Sequence, residues 1–133
     1  MLMTARKRKK HMIILGVIVI IIIIGSVIYY NRRVGEFSME YYDYYLENFQ
    51  SDITVEPIDK ASDAKKAAQK IWIEKYGKDV LKDRPYVVYY DKENEVWLVE
   101  GTLLIAELGM GIGGVPGILI DKDGNVLAVW HGK

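Results

Sequence analysis

The sequence predicts an α+β protein in which one main amphipathic helix packs on a small antiparallel sheet of about four strands, with a transmembrane helix ahead of them. Three observations predict it. Residues 12–30 form one apolar run between basic clusters, residues 60–76 repeat apolar positions at helical spacing, and beyond Pro85 the repeat shortens to two.

The apolar run, MIILGVIVIIIIIGSVIYY, contains only Gly16, Gly25 and Ser26 as small or polar breaks before its two closing tyrosines. As a helix, nineteen residues extend about 28 Å, close to the roughly 30 Å of a hydrocarbon core. Isoleucine and valine at this density are poor helix formers in water, but lipid leaves the backbone no other partner than itself. A buried core helix would need a larger surrounding domain than about a hundred residues provide. A cleaved secretory signal is the other reading. It normally has a shorter apolar region and a small-residue cleavage site, whereas this run ends in Ser26, Val27, Ile28, Tyr29, Tyr30, Asn31 and Arg32. An uncleaved signal-anchor is the expectation. The glycines are nine apart, so the small-x-x-x-small helix-pairing motif is absent.

Arg6, Lys7, Arg8, Lys9 and Lys10 precede the run, and only Arg32 and Arg33 follow it before acidic residues begin. The positive-inside bias then sets residues 1–11 in the cytoplasm as a basic tail and residues 31–133 outside, giving a single-pass cell-membrane protein. All 18 acidic residues lie beyond Arg33, against 11 of the 18 basic ones, so the outer segment carries about minus seven. That sign argues against nucleic acid as a partner, because affinity for it comes largely from neutralising phosphates. It suits simple solubility, or steering toward a basic partner. With no cysteine, the outer part must be held by packing rather than disulfides.

Residues 31–58 read as a juxtamembrane tyrosine-rich helix and a connector. Phe37, Tyr41, Tyr45 and Phe49 recur at steps of four, predicting a helix over 36–49 with each ring reaching the next. Its tyrosines have three readings: packing on the domain, lying at the membrane surface, or forming an aromatic patch for a partner. Pro57 disfavours helix at Glu56 and marks the connector. In the next helix, Ala64, Ala67, Ala68, Ile71 and Trp72 define a buried face, which Tyr76 continues. Asp59 or Ser62 is the expected N-cap, and Gly77 the stop. Strands follow at 86–90, 95–103, 118–121 and 126–131, with turns at 91–94 and 121–124. In the second strand Trp97, Val99, Gly101 and Leu103 share one face, and Val96, Leu98, Glu100 and Thr102 the other.

Chemistry is sparse in this chain. The Gly-rich segment ELGMGIGGVPG, residues 107–117, lacks the Lys and Ser or Thr of a phosphate loop and does not stand between a parallel strand and a helix. Without cysteine, and with His131 the one histidine beyond the anchor, no catalytic, metal or cofactor-binding residue is expected. Asp121 and Asp123 begin a segment whose twelfth position is Gly132, not the glutamate of a calcium loop. Glu107 and His131 are a conceivable acid/base pair that nothing in the sequence brings together, so an enzyme is not expected. Glu107, Met110, Ile112 and His131 are instead the candidate partner-binding residues, the middle two at the tip of a loop.

The succession AKKAAQKIWIEKYGKDVL, PYVVYYDKENEVWLVEGTL and GGVPGILIDKDGNVLAVWHGK resembles the bacterial NTF2 fold immunity protein domain over about residues 56–133. The order and spacing of Ala64, Trp72, Tyr76, Gly77, Trp97, Val99, Gly101, Gly113, Gly114, Gly124 and His131 carry the resemblance. It implies a reduced NTF2-like immunity domain at 59–133, and a protein that neutralises a bacterial toxin by non-covalent binding. An envelope structural or sensor domain partnering another membrane protein is the alternative.

Overall fold

The computed structural model describes residues 4–103 and 114–132, with the side chains of Tyr30 and Asn31 excepted. These divide into two compact units, one through Arg32 and one from Arg33 onward.

The first unit is a single helix, α1 (Ala5–Arg32), long and apolar enough to cross a membrane. The Ser26 hydroxyl in the apolar stretch is satisfied locally, its Oγ donating to the Ile22 carbonyl at 2.8 Å. Such a bond to the preceding turn spares the hydroxyl the cost of facing lipid unpaired.

The second unit is an open sheet of five strands covered on both faces. Its strands are β1 (Val34–Glu36), β2 (Val87–Asp91), β3 (Val96–Glu100), β4 (Pro116–Asp121) and β5 (Val126–His131), paired in that order. All neighbours are antiparallel except β1, which runs parallel to β2. The expected meander is present, with a fifth strand added at its edge. Gly35 suits this edge because the Tyr89 ring lies against its backbone where a side chain would otherwise stand.

Helix α2 (Asp43–Asn48) precedes the main helix α3 (Ala61–Tyr76). Ala61, Ala64, Ala68, Ile71 and Trp72 of α3 are buried against Val88, Trp97, Val99, Ile118, Ile120 and Val129 of the sheet. Trp72 is fully buried, and its indole N–H donates to the Gly117 carbonyl at 3.3 Å. Ala67, expected within the buried face, lies at its margin. Neither Asp59 nor Ser62 caps α3; Lys60 holds the N-cap in an extended conformation without a side-chain bond. Gly77 ends the helix at φ 88°, its N–H returning to the Ile73 carbonyl at 2.9 Å.

Residues 36–49 do not form the single helix their spacing predicts. Pairing of β1 with β2 takes the first of them, Ser38 is extended, and a 3-10 turn (Met39–Tyr42) leads into α2. The turn advances three residues per revolution, so Tyr42 rather than Tyr41 faces inward. The series of rings in contact is accordingly Phe37, Tyr42, Tyr45 and Phe49, while Tyr41 is 77% exposed.

This segment covers the second face of the sheet. Phe37, Met39, Tyr42, Tyr45 and Leu46 pack on Val96, Leu98, Leu119, Ala128 and Trp130. Tyr45 lies on Trp130 with ring centroids 4.1 Å apart. Opposite alternation of β3 is thus real, but both of its faces are core. An irregularity in β5 keeps this consistent: Ile120 pairs with Val126 and Leu119 with Ala128, leaving Leu127 as an extra residue. That bulge delivers Val126 to the α3 face and Ala128 to the other.

The connector closes the β5 edge. Its backbone meets β5 in a bridge of Gln50 with Ala128 and the turn before β5 in one of Thr54 with Asn125, and Val126 N–H donates to the Ile53 carbonyl at 2.9 Å. An edge so occupied is not open to further strand addition along those residues.

Gly117 is the tightest point between the two cores, since any side chain there would overlap the Trp130 indole. Gly117→Ala is expected to destabilise the domain by about 1–3 kcal/mol through forced movement of that ring. Gly16→Ala, with open space around it, is the control. Thermal unfolding of the detergent-solubilised chain, followed by near-ultraviolet circular dichroism, checks both: the first lowers Tm by several degrees and the second leaves it unchanged.

Candidate functional site

Of the four residues singled out from the sequence, Glu107, Met110 and Ile112 lie outside the described residues. His131 stands at the end of β5, exposed, with its ring edge-on to Tyr76 at 5.2 Å. Around it, Gly132 N–H donates to the Val115 carbonyl at 2.9 Å and Gly114 packs directly on the Gly132 backbone. Thr102 N–H donates to the Asp83 carbonyl at 2.7 Å. Thr102, ahead of the Gly-rich segment, is therefore tied to the 3-10 turn Lys78–Asp83, and Gly114 and Val115 within it meet Gly132, just after the strand carrying His131. Burial pushes the Asp83 carboxyl above its usual range, an effect that the nearby His131 partly offsets.

Both hairpin turns are built by aspartates whose oxygens are already engaged. Asp121 accepts from the N–H groups of Asp123 and Asn125 at 3.0 and 2.9 Å, and from the Asn125 side chain at 2.9 Å. Gly124 completes that turn at φ 91°. These are the bonds of a turn.

Asp91 does more than close its hairpin. It is buried, accepts from the Asn94 side chain and backbone at 2.9 and 3.0 Å, and reaches across to accept from the Met39 N–H at 2.9 Å. The Asn94 amide, with backbone donors from Asn94, Met39 and Glu93, holds its carboxyl below the usual range against the opposing cost of burial. The same group therefore fixes a turn and starts the tyrosine-rich layer. At the opposite end of the β2–β3 pair, the Tyr42 hydroxyl donates to Glu100 at 3.3 Å. Burial raises Glu100 above the usual carboxyl range, and burial together with the Glu100 charge raises Tyr42 far above the phenol range.

On the opposite side, the connector and α3 border an open cleft of about 720 Å³ whose lining includes Glu56, Pro57, Asp63, Lys66 and Lys70. Its charged groups are of both signs, and no cluster of three or more metal-ligating side chains is formed among the described residues. Sequence reasoning missed the two carboxylates that organise the layer, Asp91 and Glu100. The signal was a carboxylate at the end of an apolar strand facing another apolar strand.

The described arrangement is that of a small α+β module. The family model described as NTF2 fold immunity protein matches residues 63–133, just over half of the chain, and the chain belongs to that family. No curated protein and no solved structure matches it. The family identity makes this a non-enzymatic protein with an NTF2-like fold, here following a membrane-length helix. The matched region contains β2 to β5 and most of α3, whereas β1 and the tyrosine-rich layer precede it.

The two shifted carboxylates predict opposite pH behaviour. Asp91, lowered from 3.8, stabilises the fold above that unfolded value, and this contribution is lost as pH falls through the lower folded value. Glu100, raised from 4.5, binds its proton more tightly when folded, so it costs stability as pH rises from 4.5 through its folded value. Asp91→Asn is expected to lose about 1–3 kcal/mol at neutral pH, with the deficit shrinking in acid. Glu100→Gln is expected to gain relative to the parent between acid and neutral pH. Tm against pH for the three proteins checks both signs.

Proposed function

We propose that this protein is a membrane-anchored immunity protein that neutralises a bacterial toxin by non-covalent binding on the outer side of the cell membrane. Membership of the immunity family over residues 63–133 carries the reading. The membrane-length helix α1 supports the location, and the five basic residues ahead of its apolar run support an N-terminus in the cytoplasm. Tethering would hold the binding domain at the surface a toxin must cross, raising its local concentration there. The excess of acidic residues beyond Arg33 would speed association with a basic toxin.

Co-expression of the full chain with each of the genes encoded beside its own tests the reading. Cells carrying the full chain are expected to survive toxin exposure, and protease added to intact cells is expected to digest the domain. Loss of protection in every expression format would overturn the function, and a domain spared by protease would overturn the orientation.

A further inference from the structure

We propose that the outward side of the tyrosine-rich layer, residues 40–53, is the surface that docks a basic protein partner. The proposal rests on the toxin-binding reading and names the face that serves it.

The layer has two sides with different contents. Tyr42 and Tyr45 turn into the second core, but Tyr41 and Tyr44 remain 77% and 63% exposed, with Phe49 and Ile53 at 36% and 38% beside them in the chain. A Tyr44 contact with Phe49 at 6.2 Å joins two of these rings into one patch. Exposed tyrosine is well suited to recognition, because it buries a large rigid area at little entropic cost and keeps a polar tip.

Charge selects the partner. Glu40, Asp43, Glu47 and Asp52 lie in the same stretch, and no Lys or Arg occurs between Arg33 and Lys60. Among the described residues none of these four carboxylates takes part in an ion pair. Their field is therefore uncancelled locally and favours a cationic surface. It disfavours an anionic lipid surface, and a second copy presenting the same face.

Rigidity makes the patch usable. The Met39 N–H on Asp91 anchors one end, and Tyr45 on Trp130 at 4.1 Å holds α2 to the sheet. Exposed rings on so short a helix would otherwise have to be ordered on binding, at a cost in affinity.

Affinity of the detergent-solubilised full chain for the purified toxin whose killing it suppresses in the co-expression test checks this. Tyr41→Ala and Tyr44→Ala are each expected to weaken binding by about 10- to 100-fold, mainly through faster dissociation, with Tm unchanged. The triple reversal Glu40→Lys, Asp43→Lys, Glu47→Lys is expected to slow association and flatten its dependence on salt. Asp79→Lys, an exposed reversal in the 3-10 turn after α3, is the control and is expected to have little effect.

Tight binding that survives both tyrosine changes overturns the surface while leaving the toxin-binding reading in place. An equal loss from Asp79→Lys overturns it as well, showing net charge rather than this face at work. Tyrosine-dependent binding to phosphatidylglycerol vesicles, with no effect on toxin affinity, assigns the patch to membrane and overturns it. A parent chain that binds no toxin removes the reading beneath it.

Discussion

The structure depends on a sheet whose central strands are apolar on both sides. In β3 and β4, Trp97, Val99, Ile118 and Ile120 face α3, and Val96, Leu98 and Leu119 face the other way, all buried. Fully burying each such side chain contributes about 1.5–3 kcal/mol relative to exposure, so neither face can be left in water. One helix covers one face only. The second cover has to come from elsewhere in the chain, and the aromatic segment between β1 and the connector supplies it. With no disulfide available, this two-sided burial is the means by which about a hundred residues build a core.

Much of that core was legible. The 3.6-residue repeat located α3 to within a residue, and β5 lies where its apolar run and the preceding D-x-D-G turn placed it. The remainder was hidden by interactions distant in sequence. Three-residue β1 has no alternation to read, and it forms because β2 offers an edge 54 residues further along the chain. A repeat of four suggested one helix over 36–49, yet strand pairing and the Asp91 bond to Met39 outweigh local preference there. Alternation in β3 was read as two faces, but the unbroken apolar run VWLV already carried the mark of burial on both. Leu127 as an extra residue is invisible in sequence, because only the pairing with β4 reveals which side each neighbour takes.

The candidate site was less legible for the same reason. Sequence points to single positions with chemistry, and of these His131 has the Tyr76 ring against its own. Recognition of a protein needs an extended surface, whose membership is decided by which side chains the core leaves outside. For the tyrosines, that division became visible only once the 3-10 turn showed Tyr42 inward and Tyr41 outward.

Placing core and surface functions in one short segment has a physical consequence. Tyr42 and Tyr45 are constrained by Trp130, Phe37 and Glu100, so changes there would disturb the sheet itself. Tyr41 and Tyr44 have no such burial, and the Tyr44 ring meets that core only edge-on at Tyr45, 5.5 Å away. The inward rings hold the backbone fixed while the outward rings and acidic side chains remain free to change. A segment built this way can alter what it binds without altering how it folds, because the two sets of side chains share a backbone but little packing. The domain beneath it, two-sided and closed along β5 by the connector, provides the rigid support that such a surface requires.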